Sequence, residues 1–301
     1  MAGYERVEES VYKFNASEAA DFPKAPEEMR ADFDKNSYVL LRDVLSEDEW
    51  AAIVKAMETS QAFKDAAFSL KDSEGREYRQ VQWMGDAGDD ILGAITRTAK
   101  LAGIAEQLLN RGEIYLYSGK SIYKEPDGGG SCMWHQDYGY FYPNDAIFPD
   151  FVVVLIALTE STPDNGGMEL ISGSHRCGRV DHKQVAGQSP ADQERVDLIL
   201  KQLPLVRANL NARDALVFHG NILHRSGPNL SADKPRHHLI NTYNARSNAL
   251  DERVPKAGYN AHYVPLKMLS SRAIRDKKTT ELQRRPYANP VNDPAIDVDA
   301  K

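Results

Sequence analysis

The chain has 301 residues, of which 42% are hydrophobic and 27% charged, a balance typical of a globular protein with a substantial core. Its net charge of −7 and isoelectric point near 5.7 argue against a general nucleic-acid binder, which would carry a basic surface. The longest apolar run, residues 151–158, is too short to span a bilayer, so no membrane partner is expected.

The first residues lack the basic-then-apolar pattern of a secretory signal. The two cysteines, Cys132 and Cys177, lack the spacing of a metal motif and indicate free thiols in a reducing compartment. We therefore predict a cytoplasmic protein, with import into an organelle left open.

The first third of the chain predicts mainly helices. Residues 27–36 favour a short polar helix, and residues 38–41 favour a strand. A capping-box pattern at Ser46 starts a helix that runs to about Met57. Apolar residues that recur at helical spacing predict a long second helix over residues 90–109.

From about residue 111, short runs rich in β-branched and aromatic residues alternate with turns. These runs predict strands over residues 114–117, 121–124, 151–158, 168–171, 205–210, 215–219 and 237–243. Ser189 and Pro190 predict the start of a surface helix that ends near Leu203.

Helices followed by many short strands favour a β-sandwich or a jelly roll with helices packed outside, a mainly β fold with flanking helices of the α+β class. The expected organisation is a single domain over residues 1–301. Its parts are a helical region over about 1–110, the jelly roll over about 111–250, and a lid or tail over about 251–301.

A metal-ligating pattern lies in Trp134-His135-Gln136-Asp137. Side chains two residues apart on a strand leave on the same face, so His135 and Asp137 would point the same way. A second imidazole would complete the 2-His-1-carboxylate set of non-haem iron oxygenases, which leaves the opposite face of the metal open.

The second imidazole must come from elsewhere in the chain. His224 is favoured because it follows an apolar strand that would carry it into the sheet interior. His219, at the end of that strand, and His175, in a loop, favour structural or supporting roles. The full set of candidates comprises His175, His182, His219, His224, His237, His238 and His262.

Three segments together resemble the phytanoyl-CoA dioxygenase (PhyH-like) family of Fe(II)/2-oxoglutarate-dependent oxygenases, over roughly residues 30–250. Among members of that family, the chain most resembles hydroxylases of small molecules and amino acids, and oxidative cyclases. The segments are Met133-Trp134-His135-Gln136-Asp137, Asn165-Gly166-Gly167 leading to Ser172-Gly173-Ser174-His175, and Phe218-His219-Gly220-Asn221-Ile222-Leu223-His224-Arg225-Ser226.

The resemblance implies a core that is a double-stranded β-helix, the jelly roll of cupin-like proteins. It implies that His135, Asp137 and His224 bind Fe(II). It also implies that Arg236 clamps the far carboxylate of 2-oxoglutarate, with support from Ser226. A guanidinium suits that task because its planar fork matches a carboxylate. The implied reaction uses O2, releases succinate and CO2, and hydroxylates or cyclises a substrate. The carboxylate of Asp137 disfavours halogenation.

The sequence gives fewer indications of the substrate than of the metal ligands. We select four candidate contacts, Lys120, Tyr138, Arg246 and Arg79, each of which also suits packing or a solvated surface. As a group they favour a small carboxylated or amino-acid-like metabolite, because a buried carboxylate needs a cationic partner. No pattern predicts the oligomeric state.

Two other functions compete with the oxygenase. One is a jelly-roll protein that binds a metal or ligand without turnover, which would not need the clamp at Arg236. The other is a zinc hydrolase, since two histidines and a carboxylate also suit Zn²⁺. The sequence lacks a His-Glu-x-x-His motif, which disfavours the hydrolase.

Overall fold

The computed structural model describes residues 10–14, 20–85, 87–144, 146–183, 188–248, 264–277, 281–283, 285 and 287–288. Seven α-helices occur in this part of the chain: α1 (Glu27–Asn36), α2 (Glu47–Thr59), α3 (Gln61–Asp65), α4 (Ile91–Arg97), α5 (Ile104–Leu109), α6 (Asp137–Phe141) and α7 (Gln193–Leu200).

The described residues also form twelve strands that pair into two sheets. These are β1 (Val11–Lys13), β2 (Tyr38–Arg42), β3 (Phe68–Lys71), β4 (Glu77–Met84), β5 (Ile114–Lys124), β6 (Cys132–His135), β7 (Phe151–Ala157), β8 (Met168–Ile171), β9 (Leu205–Ala208), β10 (Ala215–His219), β11 (His224–Ser226) and β12 (Arg236–Ala245).

The large sheet has the strand order β1-β2-β10-β7-β12-β5-β4-β3, and the small sheet has the order β6-β11-β8-β9. The central strand β7 is buried on both faces. Its residues Val153 and Leu155 pack with Leu170 of the small sheet, whereas Val152 and Val154 pack with the helices. The predicted fold class, facing sheets of a jelly roll with flanking helices, is therefore confirmed.

The start of the helical layer also agrees with the sequence. Helix α1 and strand β2 lie where they were predicted. At the start of α2, the Ser46 hydroxyl accepts a hydrogen bond from the Glu49 N–H at 3.3 Å, and the Glu49 carboxylate accepts one from the Ser46 N–H at 2.8 Å. This is the capping box expected from the pattern.

The long helix predicted over residues 90–109 is wrong in its middle. Helix α4 ends at Arg97, Thr98 is extended, and a π-helical turn (Ala99–Gly103) precedes α5. Leu269, from late in the chain, causes the break: its carbonyl accepts from the Ala99 N–H at 2.8 Å, and its N–H donates to Arg97 at 2.9 Å. The tertiary contact supplies bonds that a continuous helix would have made itself.

Three further corrections concern a strand that was predicted as two, the start of a helix, and two strands that were not predicted. Residues 114–117 and 121–124 belong to one strand, because the polar residues between them face a cavity rather than the core. The helix predicted from Ser189 begins at Gln193, where the Asp192 carboxylate accepts from the Arg195 N–H at 3.0 Å. Strands β3 and β4, in the region predicted to be helical, were missed, since their mixed polarity hides the period of two.

No helix within the described ranges is both long and apolar enough to cross a membrane. Part of the predicted lid or tail, residues 251–263, lies outside the described residues. The described segment 264–277 reaches the helical layer, as the hydrogen bond from the Leu269 N–H to the carbonyl of Arg97, the last residue of α4, illustrates. The single-domain organisation and its three regions stay a prediction.

Close packing at Gly119 joins β5 to β4. A Cβ atom there would lie 2.1 Å from the ring of Trp83, which is fully buried. We expect Gly119→Ala to lower the free energy of unfolding by about 1–3 kcal/mol, because overpacking forces the ring or the backbone to shift. Urea denaturation would measure the change. The matched control is Gly227→Ala, whose added methyl group meets no atom within 4 Å; equal effects of the two changes would contradict the prediction.

Candidate metal centre and cosubstrate cavity

Three side chains that are far apart in the chain converge at one end of the small sheet. His135 ends β6, His224 opens β11, and the two residues are opposite each other in the antiparallel ladder. Asp137 opens α6. Its Oδ1 lies 3.8 Å from Nε2 of His135 and 4.0 Å from Nε2 of His224. One ligand atom from each residue falls within 4.8 Å of the other two.

The expected placement of His135 and Asp137 on one strand needs a correction. The strand ends at His135, and a helix begins at Asp137. The intervening Gln136 is nevertheless extended (φ −111°, ψ 133°), so the alternation continues for one residue past the strand. The two side chains therefore still reach the same site.

Both imidazoles are oriented by their own backbones. The Nδ1 atoms lie 2.7 Å from the Met133 carbonyl and 3.0 Å from the Ile222 carbonyl, for His135 and His224 respectively. A carbonyl only accepts, so each Nδ1 carries the proton and each Nε2 is free to bind a metal. This fixing of the tautomer by a second hydrogen bond is typical of metal-ligating histidines.

The charges of the two imidazoles differ in the metal-free protein. Burial, followed by the charge of His135, lowers the pKa of His224 to about 3. Burial also opposes charge on His135, but an ionised Cys132 sulfur, which also hydrogen-bonds to the ring, and the Asp137 carboxylate outweigh it and raise the pKa of His135 to about 9. Metal binding must therefore displace a proton from His135.

Gln136 connects the two ligand-bearing segments, a role that the sequence did not reveal. The side chain is fully buried. Its Nε2 donates to the carbonyls of Asn221 at 2.8 Å and Gly178 at 2.9 Å, and its Oε1 accepts from the Val180 N–H at 2.7 Å. Because Asn221 lies three residues before His224, one amide holds both sides of the cluster in register.

The remaining candidate histidines serve other purposes. His182 accepts from the Gln136 N–H at 3.0 Å. His219 accepts from the Asn221 N–H at 3.1 Å, and its ring lies against His175, in keeping with the structural roles predicted for both. His237 contacts the Ser121 hydroxyl at 2.8 Å. His262 lies outside the described residues.

Arg236 lines the same cavity as the cluster. Only 2% of its surface is exposed, and its Nη1 donates to Nδ1 of His238 at 2.5 Å. Burial and the neighbouring Arg236 charge hold the pKa of His238 well below its ordinary value, which keeps the imidazole a neutral acceptor. Nε and Nη2 of Arg236 have no partner among the described residues, so two parallel N–H groups are available to bind an acceptor.

Lys124 is a second cation at this end of the cavity and was missed by the sequence analysis. It lies directly across the ladder from Arg236. Its ammonium donates to the Ser226 hydroxyl at 2.8 Å and to the Gly227 carbonyl at 2.6 Å. Burial, with the nearby Arg236 charge, holds the pKa of Lys124 well below its ordinary value. Lys120 and Lys124 are an even number of residues apart and so lie on the same face of β5; this spacing is the signal that could have revealed Lys124.

The structure separates the four predicted substrate contacts. Lys120 lines the cavity. Tyr138 does not, and its hydroxyl donates to the Ile147 carbonyl at 2.8 Å. Arg79 is exposed and pairs with Glu125 at 2.5 Å, and Arg246 is exposed in a 3₁₀ turn. Tyr138, Arg79 and Arg246 are therefore corrected: Tyr138 packs into an aromatic cluster, and the two arginines face solvent.

Comparison with known proteins agrees with this geometry. The chain matches phytanoyl-CoA dioxygenase (PhyH) over residues 33–238. L-proline trans-4-hydroxylase of Streptomyces griseoviridis is 31% identical over 176 residues, which cover 53% of this chain and 65% of that protein. Ectoine dioxygenase of Sphingopyxis alaskensis is 26% identical over 242 residues, which cover 74% of this chain and 76% of that protein.

A solved structure shares the fold. The crystal structure of EctD from S. alaskensis with 2-oxoglutarate and 5-hydroxyectoine has a TM-score of 0.67 at 23% identity and covers 89% of this chain and 95% of that one. The jelly roll, the His-Asp-His cluster and these relatives define a non-haem Fe(II)/2-oxoglutarate-dependent dioxygenase. The chain belongs to the phytanoyl-CoA dioxygenase (PhyH) family.

Buried neutral histidines should make the metal-free protein sensitive to acid. Burial lowers the pKa of His219 to about 3, and of His182 and His237 to about 4. Between pH 6.5 and 4 the unfolded chain binds protons at these sites that the folded chain does not. The free energy of unfolding should therefore decrease as the pH is lowered through that window, by up to about 1.4 kcal/mol per pH unit for each histidine.

Urea midpoints of chelator-treated protein at pH 7.5, 6.0 and 5.0 would measure this slope. His219→Gln removes one such group and should reduce the slope, whatever it does to stability at pH 7.5. A midpoint that does not change across the window would contradict the assignment of neutral, buried imidazoles.

Proposed function

We propose that this dioxygenase oxidises a C–H bond of a small carboxylated or amino-acid-like metabolite, by hydroxylation or oxidative cyclisation. In this proposal His135, Asp137 and His224 hold Fe(II). Arg236, Lys124 and Ser226 bind the far carboxylate of 2-oxoglutarate. The observation that carries the proposal is the shared cavity, which joins a three-ligand cluster to the buried guanidinium of Arg236. Two N–H groups of that guanidinium have no partner in the described part of the chain.

The residues fit both groups chemically. Once His135 has lost its proton, two imidazole Nε2 atoms and a carboxylate are the donors of the facial triad, and they leave the far side of a metal open. The orphaned donors of Arg236 match a carboxylate bidentately. Leaving such groups buried without a partner costs free energy, which a bound carboxylate would offset.

The chain's own part in the reaction is to orient its ligands and exclude water. When bound, Fe(II) and 2-oxoglutarate supply the oxidising chemistry, with succinate and CO2 released. Arg236, held by His238, fixes the direction in which the cosubstrate lies. Apolar side chains such as Leu155, Phe218 and Ile240 line the space between the sheets and keep it dry.

The size of the cavity supports a small substrate. Its volume is about 180 Å³, and Asp137 is the one carboxylate among the described residues that line it. The two relatives compared above are named for proline and ectoine, which are small metabolites. A cytoplasmic location and the lack of a nucleic-acid partner stay predictions, supported by the two free thiols and the net charge of −7.

The cavity suits a dioxygenase better than either of the two competing functions. A protein that binds a metal without turnover has no need for the unpartnered donors of Arg236. A zinc hydrolase needs a general base beside the metal, and the one lining carboxylate in the described part of the chain, Asp137, already belongs to the cluster.

Removal of the cluster carboxylate should abolish the activity. In the wild type, anaerobic addition of Fe(II) and 2-oxoglutarate should produce a weak visible charge-transfer band. Asp137→Ala should lose both this band and succinate release, because two imidazoles alone bind the metal weakly. Asp48→Ala, which changes an exposed aspartate of α2, is the control and should keep both. Retained turnover in Asp137→Ala would remove Asp137 from the ligand set.

Arg236 should control the affinity for 2-oxoglutarate. We expect Arg236→Met to raise the KM for 2-oxoglutarate at least about tenfold, since a charge-assisted bidentate pair contributes about 1.5–3 kcal/mol. Arg236→Lys should recover part of the loss. Arg195→Met, at an exposed site on α7, is the matched control. An unchanged KM in Arg236→Met would refute the clamp.

A further inference from the structure

We propose that Lys120 forms a carboxylate-binding subsite for the substrate, and that the substrate carries net negative charge. This inference rests on the proposed function and narrows its substrate class. It separates anionic carboxylates, which the subsite would accept, from neutral and cationic metabolites, which it would not.

The subsite lies apart from the cosubstrate end of the cavity. Ser118, Lys120, Ile122 and Lys124 alternate along β5 and all face the cavity. Lys120 and Lys124 are four residues apart, so their backbones are separated by about 13 Å along the strand. The cavity therefore has one cationic end at Lys124 and Arg236 and a second cation well removed from it.

The two lysines differ in what they contact. The Lys124 ammonium is engaged by Ser226 and Gly227. Within the described part of the chain, the Lys120 ammonium has neither a hydrogen bond nor an ion pair, although the side chain is only partly exposed. Structural needs among these residues do not account for a cation at this position, whereas an anionic ligand would.

Gln82 can assist Lys120. It lies directly across the ladder from Lys120, and both side chains line the cavity. Its Oε1 accepts from Nε2 of Gln80 at 2.7 Å. Among the described residues, its own Nε2 contacts the Met84 sulfur alone, a weak acceptor, at 3.5 Å. The amide N–H and the ammonium thus offer adjacent donors to one carboxylate.

The charges around the cavity favour an anion. Fe(II) and the 2-oxoglutarate dianion cancel, and Asp137 balances one cation of the Lys124 and Arg236 pair. The guanidinium of Arg225 is paired with Glu169 at 2.6 Å. With Cys132, which also lines the cavity, counted as a neutral thiol, a positive charge therefore remains at Lys120 in the loaded site, even with Lys124 neutral. An unbalanced charge in a low-dielectric cavity is costly unless a ligand neutralises it.

The lining also argues against recognition of a free ammonium group. Asp137, the one lining carboxylate among the described residues, is directed at the metal position. An amino acid bound here would leave its ammonium without an acidic partner. The subsite therefore fits a carboxylate whose nitrogen, where present, is acylated or balanced by a second carboxylate.

The experiment measures probe-stimulated succinate release by the enzyme loaded with Fe(II) and 2-oxoglutarate. The panel contains small carboxylates, their neutral carboxamides and cationic amines of the same skeleton, such as N-acetyl-L-proline, N-acetyl-L-prolinamide and L-prolinamide, together with N-acetyl-L-glutamate and L-glutamate. The variants are Lys120→Met and Lys120→Arg. Lys55→Met, at an exposed site on α2, is the control.

We expect carboxylates to stimulate succinate release and their neutral or cationic counterparts not to do so. Lys120→Met should raise the KM of the most active carboxylate at least tenfold with a smaller change in kcat, and Lys120→Arg should recover part of the loss. The inference is overturned if no carboxylate stimulates, if the best probe is neutral or cationic, or if Lys120→Met leaves the KM unchanged. Loss of the visible band in the wild type would instead overturn the proposed function.

Discussion

The antiparallel pairing of β6 with β11 is the constraint on which the rest of the site depends. It sets His135 opposite His224, residues separated by almost ninety positions in the chain, and Gln136 then ties the neighbouring loops together through neutral hydrogen bonds. Backbone carbonyls hold the Nδ1 atoms of both imidazoles, and within the described ranges neither Nε2 atom has a hydrogen bond to the protein. Local backbone geometry and one long-range ladder thus orient both imidazoles toward the metal site before a metal binds.

The inner face of the large sheet divides the cavity into zones by simple alternation. Along β5, every second residue points inward, and the same holds for β12, so Arg236 and Lys124 meet at one end while Ile240 and Lys120 meet further along. The small sheet closes the opposite side with the metal cluster. A polar end, an apolar middle and a second polar end therefore follow from strand register, and each end would favour a different acidic group.

Much of this arrangement was accessible from the sequence, and the gaps have physical causes. The cluster residues, Arg236 and Ser226 were all named, because the segments around them occur together as a recognisable set. The roles of Lys124 and His238 were missed. That of Lys124 depends on which residue lies across the ladder, and that of His238 on its contact with Arg236, two residues earlier in the same strand. Tyr138 was misplaced because a helix begins at Asp137, which redirects the side chain into an aromatic cluster. Register and tertiary packing decided the cases that local pattern left open.

The break at Thr98 has a consequence for how the chain reaches its native state. The backbone groups of Arg97 and Ala99 find their partners only at Leu269, about 170 residues further along. During synthesis, those amides emerge long before the strand-like segment that completes them. Such distant pairing raises contact order, and the junction between α4 and α5 can become fully ordered only after residue 269 has been made.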